Sequence, residues 1–198
     1  MYSVVSICNM ALCSMGITRV ISSLSDSSQE ARLCSAFYEH ARDELLQDYP
    51  WNFAKASAAL PLTTEASSYG GYVYALPESC LHVRRVYASG DSTSNDKYMT
   101  MRGASGGKVI VSDVADAWAD YTYRVTDPLE FPPLWVEALA WKLSTLLTLP
   151  LKGDGENRRN DIMQYFLNAK NAAIVQDANE CQGTERTDYF RDYIEVRG

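Results

Sequence analysis

Ala41-Arg42-Asp43-Glu44-Leu45-Leu46-Gln47-Asp48-Tyr49-Pro50-Trp51-Asn52-Phe53-Ala54 is where a helical hydrophobic period gives way to a strand period. Upstream, from Ser27, the apolar residues Cys34, Phe37, Tyr38, Ala41 and Leu45 recur at three- and four-residue steps, which places them on one helix face. Glu39, Arg42, Asp43 and Asp48 fall largely elsewhere. Pro50 has no backbone N–H to give and its ring pushes Tyr49 out of helical geometry, so the helix must stop there. Trp51 and Phe53 set two large aromatic groups just past the stop, and the residues from Phe53 to Leu62 read as extended. Tyr49, Pro50, Trp51 and Phe53 therefore read as a structural elbow joining a helical layer to a sheet layer, with Trp51 in the core.

On the N-terminal side a first helix is expected from about Ser3 to Met15, carrying Val4, Ile7, Cys8, Ala11, Leu12 and Met15 on one face, with Gly16 as its terminator. A link follows, and Asp26 or Ser27 is placed to cap the second helix with Gln29 or Glu30 as the reciprocal partner. The two helices are expected to form a hairpin with their apolar faces together. Beyond the elbow, short strands are expected at Tyr72 to Leu76, Leu81 to Ala88, Tyr98 to Arg102, Lys108 to Ser112 and Ala119 to Thr126. In the third of these, Leu81, Val83, Arg85 and Tyr87 alternate against His82, Arg84 and Val86. Gly103-Ala104-Ser105-Gly106-Gly107 turns a hairpin, and the polar run Ser89 to Asp96 is a loop. Pro133 suits the first turn of a third helix, to about Leu149, which is apolar nearly all round and so buried on most sides. A fourth helix, about Glu156 to Ala178, has a narrower stripe of Ile162, Phe166, Ala169 and Ala173. The expected fold class is α+β: a helical bundle of about four helices with an inserted small antiparallel β domain and an extended C-terminal tail. The helical domain is 1–52 and 127–180, the inserted β domain 53–126 and the tail 181–198.

The chain of 198 residues carries a formal charge of -7 with a pI near 4.8, so it lacks the basic footprint of a nucleic-acid binder. Its most hydrophobic stretch, Leu134 to Leu151, is interrupted by Glu137 and Lys142 and bounded by Pro133 and Pro150, which argues for a soluble protein and against membrane partners. The N-terminal residues lack the basic start and cleavage pattern of a secretory signal, and cytosolic synthesis is expected. Five cysteines, Cys8, Cys13, Cys34, Cys80 and Cys181, have neither disulfide-framework nor zinc-knuckle spacing and read as small buried hydrophobes.

Catalytic signals are weak throughout. The glycine-rich run at Gly103 to Lys108 has the wrong spacing for a phosphate loop, Val109 stands where a metal-binding hydroxyl belongs, and no helix follows. His40 and His82 have no metal-ligand partners in sequence, since Glu44 beside His40 fits a surface pair. Asp43-Glu44 and the Asp113 and Asp116 pair lack the context of a catalytic acid and base. No cofactor, metal or catalytic residue is expected, and the chain does not read as an enzyme.

Several segments together resemble a known family. They are Ala11-Leu12 and Gly16-Ile17, the Ser-rich link, Tyr38 with Ala41-Arg42-Asp43-Glu44-Leu45-Leu46, the Tyr49 to Ala54 elbow, and Leu76-Pro77-Glu78-Ser79-Cys80-Leu81. The chain is similar to the tail tubular protein A family, the head-to-tail adaptors or connectors of short-tailed phages (podoviruses). That resemblance implies a structural virion protein of the tail, made in the host cytoplasm and seated below the portal vertex. It implies a ring of copies, usually twelve, between the portal protein and the tail nozzle protein, with tail fibres or tailspikes as further partners. DNA would pass through the lumen without specific binding, which an acidic chain suits. The alternatives are a small cell-wall-directed hydrolase and a generic cytosolic interaction module. In the tail, Arg186, Tyr189, Phe190, Arg191, Tyr193 and Ile194 set rings among charges, the composition of a partner-binding segment.

Overall fold

The computed structural model describes residues 2–91, 94–153 and 156–180. The protein is α+β, with four helices and two three-stranded antiparallel sheets among the described residues. It separates into two compact units. One comprises 2–45, Trp51–Phe53 and 126–180; the other comprises Leu46–Pro50 and Ala54–Val125.

The helical unit holds α1 (Val4–Ser14), α2 (Gln29–Asp48), α3 (Pro133–Lys152) and α4 (Glu156–Glu180). Ser3 caps α1 in a reciprocal box with Ser6, satisfying two of the N–H groups a helix start leaves unpaired. The hub is α3, whose backbone approaches α4 and α1 most closely. The approach to α1 rests on small residues. Ser144 is fully buried and donates to both Ala140 O and Ala11 O (2.9 and 3.0 Å). The expected α1–α2 hairpin therefore needs correction: the main backbone partner of α1 is α3, because Ala11, Ala140 and Ser144 present no bulk to hold those helices apart. Cys8 of α1 still meets Cys34 of α2, whose hydrogen bond, followed by burial, holds the Cys8 thiol above its ordinary range.

The α1–α2 link is pinned rather than loose. Asn9 donates to Ile21 O and accepts from Ile21 N (2.9 and 2.8 Å), fixing Ile21 in the core. Asp26 does not cap α2. Its carboxylate accepts the N–H groups of Ser22 and Ser23 and the Ser22 hydroxyl, bonds that hold it below its usual range, and Ser28 takes the cap through Ala31 N. Along α2 the buried positions are Ala31, Cys34, Tyr38, Ala41, Arg42, Leu45 and Leu46. Arg42, read as lying off the apolar face, is buried with its guanidinium 2.8 Å from Asp43. Pro150, expected beyond the end of the third helix, lies inside α3, which runs on to Lys152. In the last turn a missing N–H removes a single bond, and Gly153 N still reaches Leu149 O (3.1 Å).

In the β unit, β1 (Lys55–Ala59), β6 (Ala117–Tyr123) and β3 (Cys80–Ala88) form one sheet in the order β1-β6-β3. The second sheet, β2-β5-β4, contains β2 (Tyr72–Ala75), β5 (Lys108–Ser112) and β4 (Tyr98–Arg102). Leu60, Tyr74, Val83, Val86, Ile110, Ala117 and Ala119 form the core the sheets share. The strict alternation expected for β3 fails because the register shifts between Val83 and Arg85. One extra residue in the strand brings Val83 and Val86, expected on opposite faces, into the same core. The segment expected as a strand from Phe53 begins instead with a 3-10 turn, Asn52–Ala54.

Candidate functional site

The elbow is assembled by the requirements of a helix end. The last four carbonyls of an α-helix have no partner within it, and after Pro50 the chain cannot supply one. Trp51 supplies the first: its indole N–H donates to Leu45 O at 2.8 Å while the side chain is 1% exposed. Arg84, on the extra-residue bend of β3, donates to another, with Nη2 2.7 Å from Gln47 O, and also lies 3.1 Å from Tyr49 O just past the helix. Its Nε donates to Thr122 at 2.9 Å, which fixes the guanidinium, and a cation at a helix C-terminus is favourably placed against the dipole.

Trp51 and Phe53 enter an aromatic cluster with Phe131 and Trp135. Ring centroids lie 5.3 Å apart for Phe53–Trp135, 4.5 Å for Phe131–Trp135 and 6.5 Å for Trp51–Trp135, the last in an edge arrangement. Asn52, between them, ties to α4. Its backbone N–H donates to the Asp177 carboxylate at 2.9 Å and its side-chain amide donates to Asp177 O at 2.7 Å. Burial pushes the Asp177 carboxyl up to about 6, against the lowering effect of the Asn52 bond. Beside this tie lies an open cleft of about 700 Å³ lined by Leu134 and by Ala172, Val175, Gln176 and Glu180 of α4. It continues toward Trp51, Trp135 and Asp177.

Of the four elbow residues, Trp51 and Phe53 lie in the helical unit with Asn52, Phe131, Trp135 and Asp177, and Tyr49 and Pro50 belong to the β unit, where Arg84 meets the Tyr49 carbonyl. Trp135 was legible as part of an apolar helix. Arg84 and Asp177 were not, because each depends on a pairing distant in sequence. The candidate tail residues Arg186, Tyr189, Phe190, Arg191, Tyr193 and Ile194 lie outside the described residues.

The glycine-rich run makes a hairpin turn whose N–H groups face an anion from the chain itself. Ala104 N and Ser105 N donate to Glu65 (2.8 and 2.9 Å), as does the Ser105 hydroxyl, and these bonds, that of the hydroxyl foremost, hold the Glu65 carboxyl below its ordinary range. His40 pairs with Glu44 across one helical turn at 3.6 Å, and both are exposed. On the sheet, Asp120 accepts from Arg85 at 2.7 Å and from Tyr87 at 3.2 Å, and the Tyr87 hydroxyl lies 2.6 Å from that of Ser57. Among the described residues no group of three or more His, Cys, Asp or Glu is placed to hold a metal, and no helix is long and apolar enough to cross a membrane. No model of a known protein family matches the chain, and no curated protein matches it.

Proposed function

We propose that this chain is the head-to-tail adaptor subunit of a short-tailed phage, a non-enzymatic ring component that joins portal to nozzle. The observation that carries the reading is the order of elements around the elbow. Two helices, a complete β unit entered just after Trp51, and two further helices follow one another as the family resemblance implies. At the elbow, α2 carbonyls are capped by Trp51 and Arg84, and Asn52 is tied to α4 through Asp177. A formal charge of -7 per copy also suits a conduit that must not retain phosphate backbone.

Native mass spectrometry of the full chain mixed with the portal protein of the same virion tests the proposal, with negative-stain images of the same mixture. A closed ring of copies on each portal ring is the expected outcome. Only one or two copies bound per portal ring overturns it.

A further inference from the structure

In the sheet β1-β6-β3, β1 is an edge strand among the described residues. Leu60 N donates to Ala117 O at 2.8 Å, and in an antiparallel ladder that bond sets the alternation. Ala56 and Ala58 face β6, so the N–H and C=O of Lys55, Ser57 and Ala59 point away from it. Among the described residues no strand lies on that side. Two of the other edges are partly covered. Asp96 N covers Val86 O on β3 (2.8 Å), and Thr63 N covers Val73 O on β2 (2.8 Å). The β1 edge also lacks the usual deterrents. It has no proline or inward charge, Lys55 is its one long side chain, and Ala56, Ser57, Ala58 and Ala59 leave room on both faces. The outer edge of β4, by contrast, carries Met99, Met101 and Arg102.

We propose that Tyr189 to Val196 of a second copy adds to β1 as a fourth strand. The segment follows α4, outside the described residues. It reads Tyr189-Phe190-Arg191-Asp192-Tyr193-Ile194-Glu195-Val196, without glycine or proline and with β-forming residues in five of its eight positions. Its length matches a strand, and its backbone would satisfy the outward groups of Lys55, Ser57 and Ala59 as strand-addition complexes do. Pairing of β1 with the β1 of another copy would be self-complementary and close at two copies. A segment of one copy on the edge of the next is head-to-tail and closes a ring, so the choice of occupant rests on the ring reading above.

The test uses the full chain with p-benzoylphenylalanine at Tyr193, in an equal mixture of light and isotopically heavy copies over a concentration series. Photolysis should give mixed-isotope cross-links onto residues 55–59, and amide exchange at Lys55, Ser57 and Ala59 should slow as association proceeds. Ala59→Pro removes an N–H that faces away from β6 and no side-chain hydrogen bond, so its melting temperature should match the parent while the cross-link yield falls about tenfold. Thr100→Pro, on the β4 edge, should leave the yield unchanged. Cross-links confined to one isotope, cross-links onto 98–102, or exchange at 55–59 that ignores concentration would each overturn the proposal. Mixed-isotope links onto 55–59 in open rather than closed oligomers would keep strand addition and remove the ring.

Discussion

Burial holds the Asp177 proton up to about 6, and the consequence for stability has a definite sign. A carboxyl whose folded value exceeds its unfolded value stabilises the fold when protonated, and that stabilisation is lost as pH rises through the folded value. Lowering the pH from about 7 to about 4.5 should therefore add on the order of 2–3 kcal/mol from this group. Asp26 and Glu65 are held low by their hydrogen bonds, so their contributions are present at neutral pH and lost only on further acidification. Asp177→Asn keeps an acceptor for Asn52 N, and urea unfolding of that variant at the two pH values should show the slope gone. Trp51 poses a different question, because its indole both fills the core and caps α2. Trp51→Ala should cost roughly 3–5 kcal/mol, the range for emptying a large aromatic site. Trp51→Phe keeps most of the buried area and should cost about 1–2 kcal/mol for the unpaired Leu45 carbonyl. A denaturation midpoint for Trp51→Phe equal to the parent's would show that the hydrogen bond contributes nothing. Trp51 was readable as core from its place after Pro50. The capping role was not, since it needs the geometry of the turn.

The clearest dependence between elements is that of the α2 terminus on β3. Arg84→Met removes the donor to Gln47 and Tyr49 while keeping the apolar stem. It should cost roughly 1–3 kcal/mol and raise amide exchange selectively in the last turn of α2. Uniform exchange across the chain would refute a local role. In the second sheet, a Cβ at Gly103 would come within 2.9 Å of both the Glu65 carboxylate and Val109 Cγ1. Gly103→Ala should therefore shift the hairpin and cost about 1–3 kcal/mol, measured as a thermal shift. The hairpin itself was legible at both ends, Tyr98–Arg102 and Lys108–Ser112, because two β-forming runs flank a glycine-rich turn. The faces of β3 were not. Nothing local marks Arg84 as an extra residue, so strict alternation put Val83 and Val86 on opposite sides. Proline was read well at Pro50, where backbone donors were needed next, and too strongly at Pro150, where the helix had one turn left. The stripe of α4 hid Lys170 and Asp177, charged residues that are buried nonetheless.

For the whole molecule, a formal charge of -7 on every copy means that copies of the chain repel one another. Screening should relieve this, so sedimentation velocity should show association strengthening between about 0.05 and 0.5 M salt, with the Debye length shrinking several-fold. Weaker association at high salt would mean that opposite charges dominate the contact. The proposed ring, by contrast with the fold, has no periodic signature in one chain, since it would depend on how copies meet. The β unit enters through β1 and leaves through β6, and these are neighbours in one sheet, Lys55 opposite Thr122. Entry and exit are therefore separated by about one strand spacing, on the order of 5 Å. The long excursion from Lys55 to Thr122 therefore closes on itself like a loop, and a linker of a few residues joining those two positions would span the distance between them.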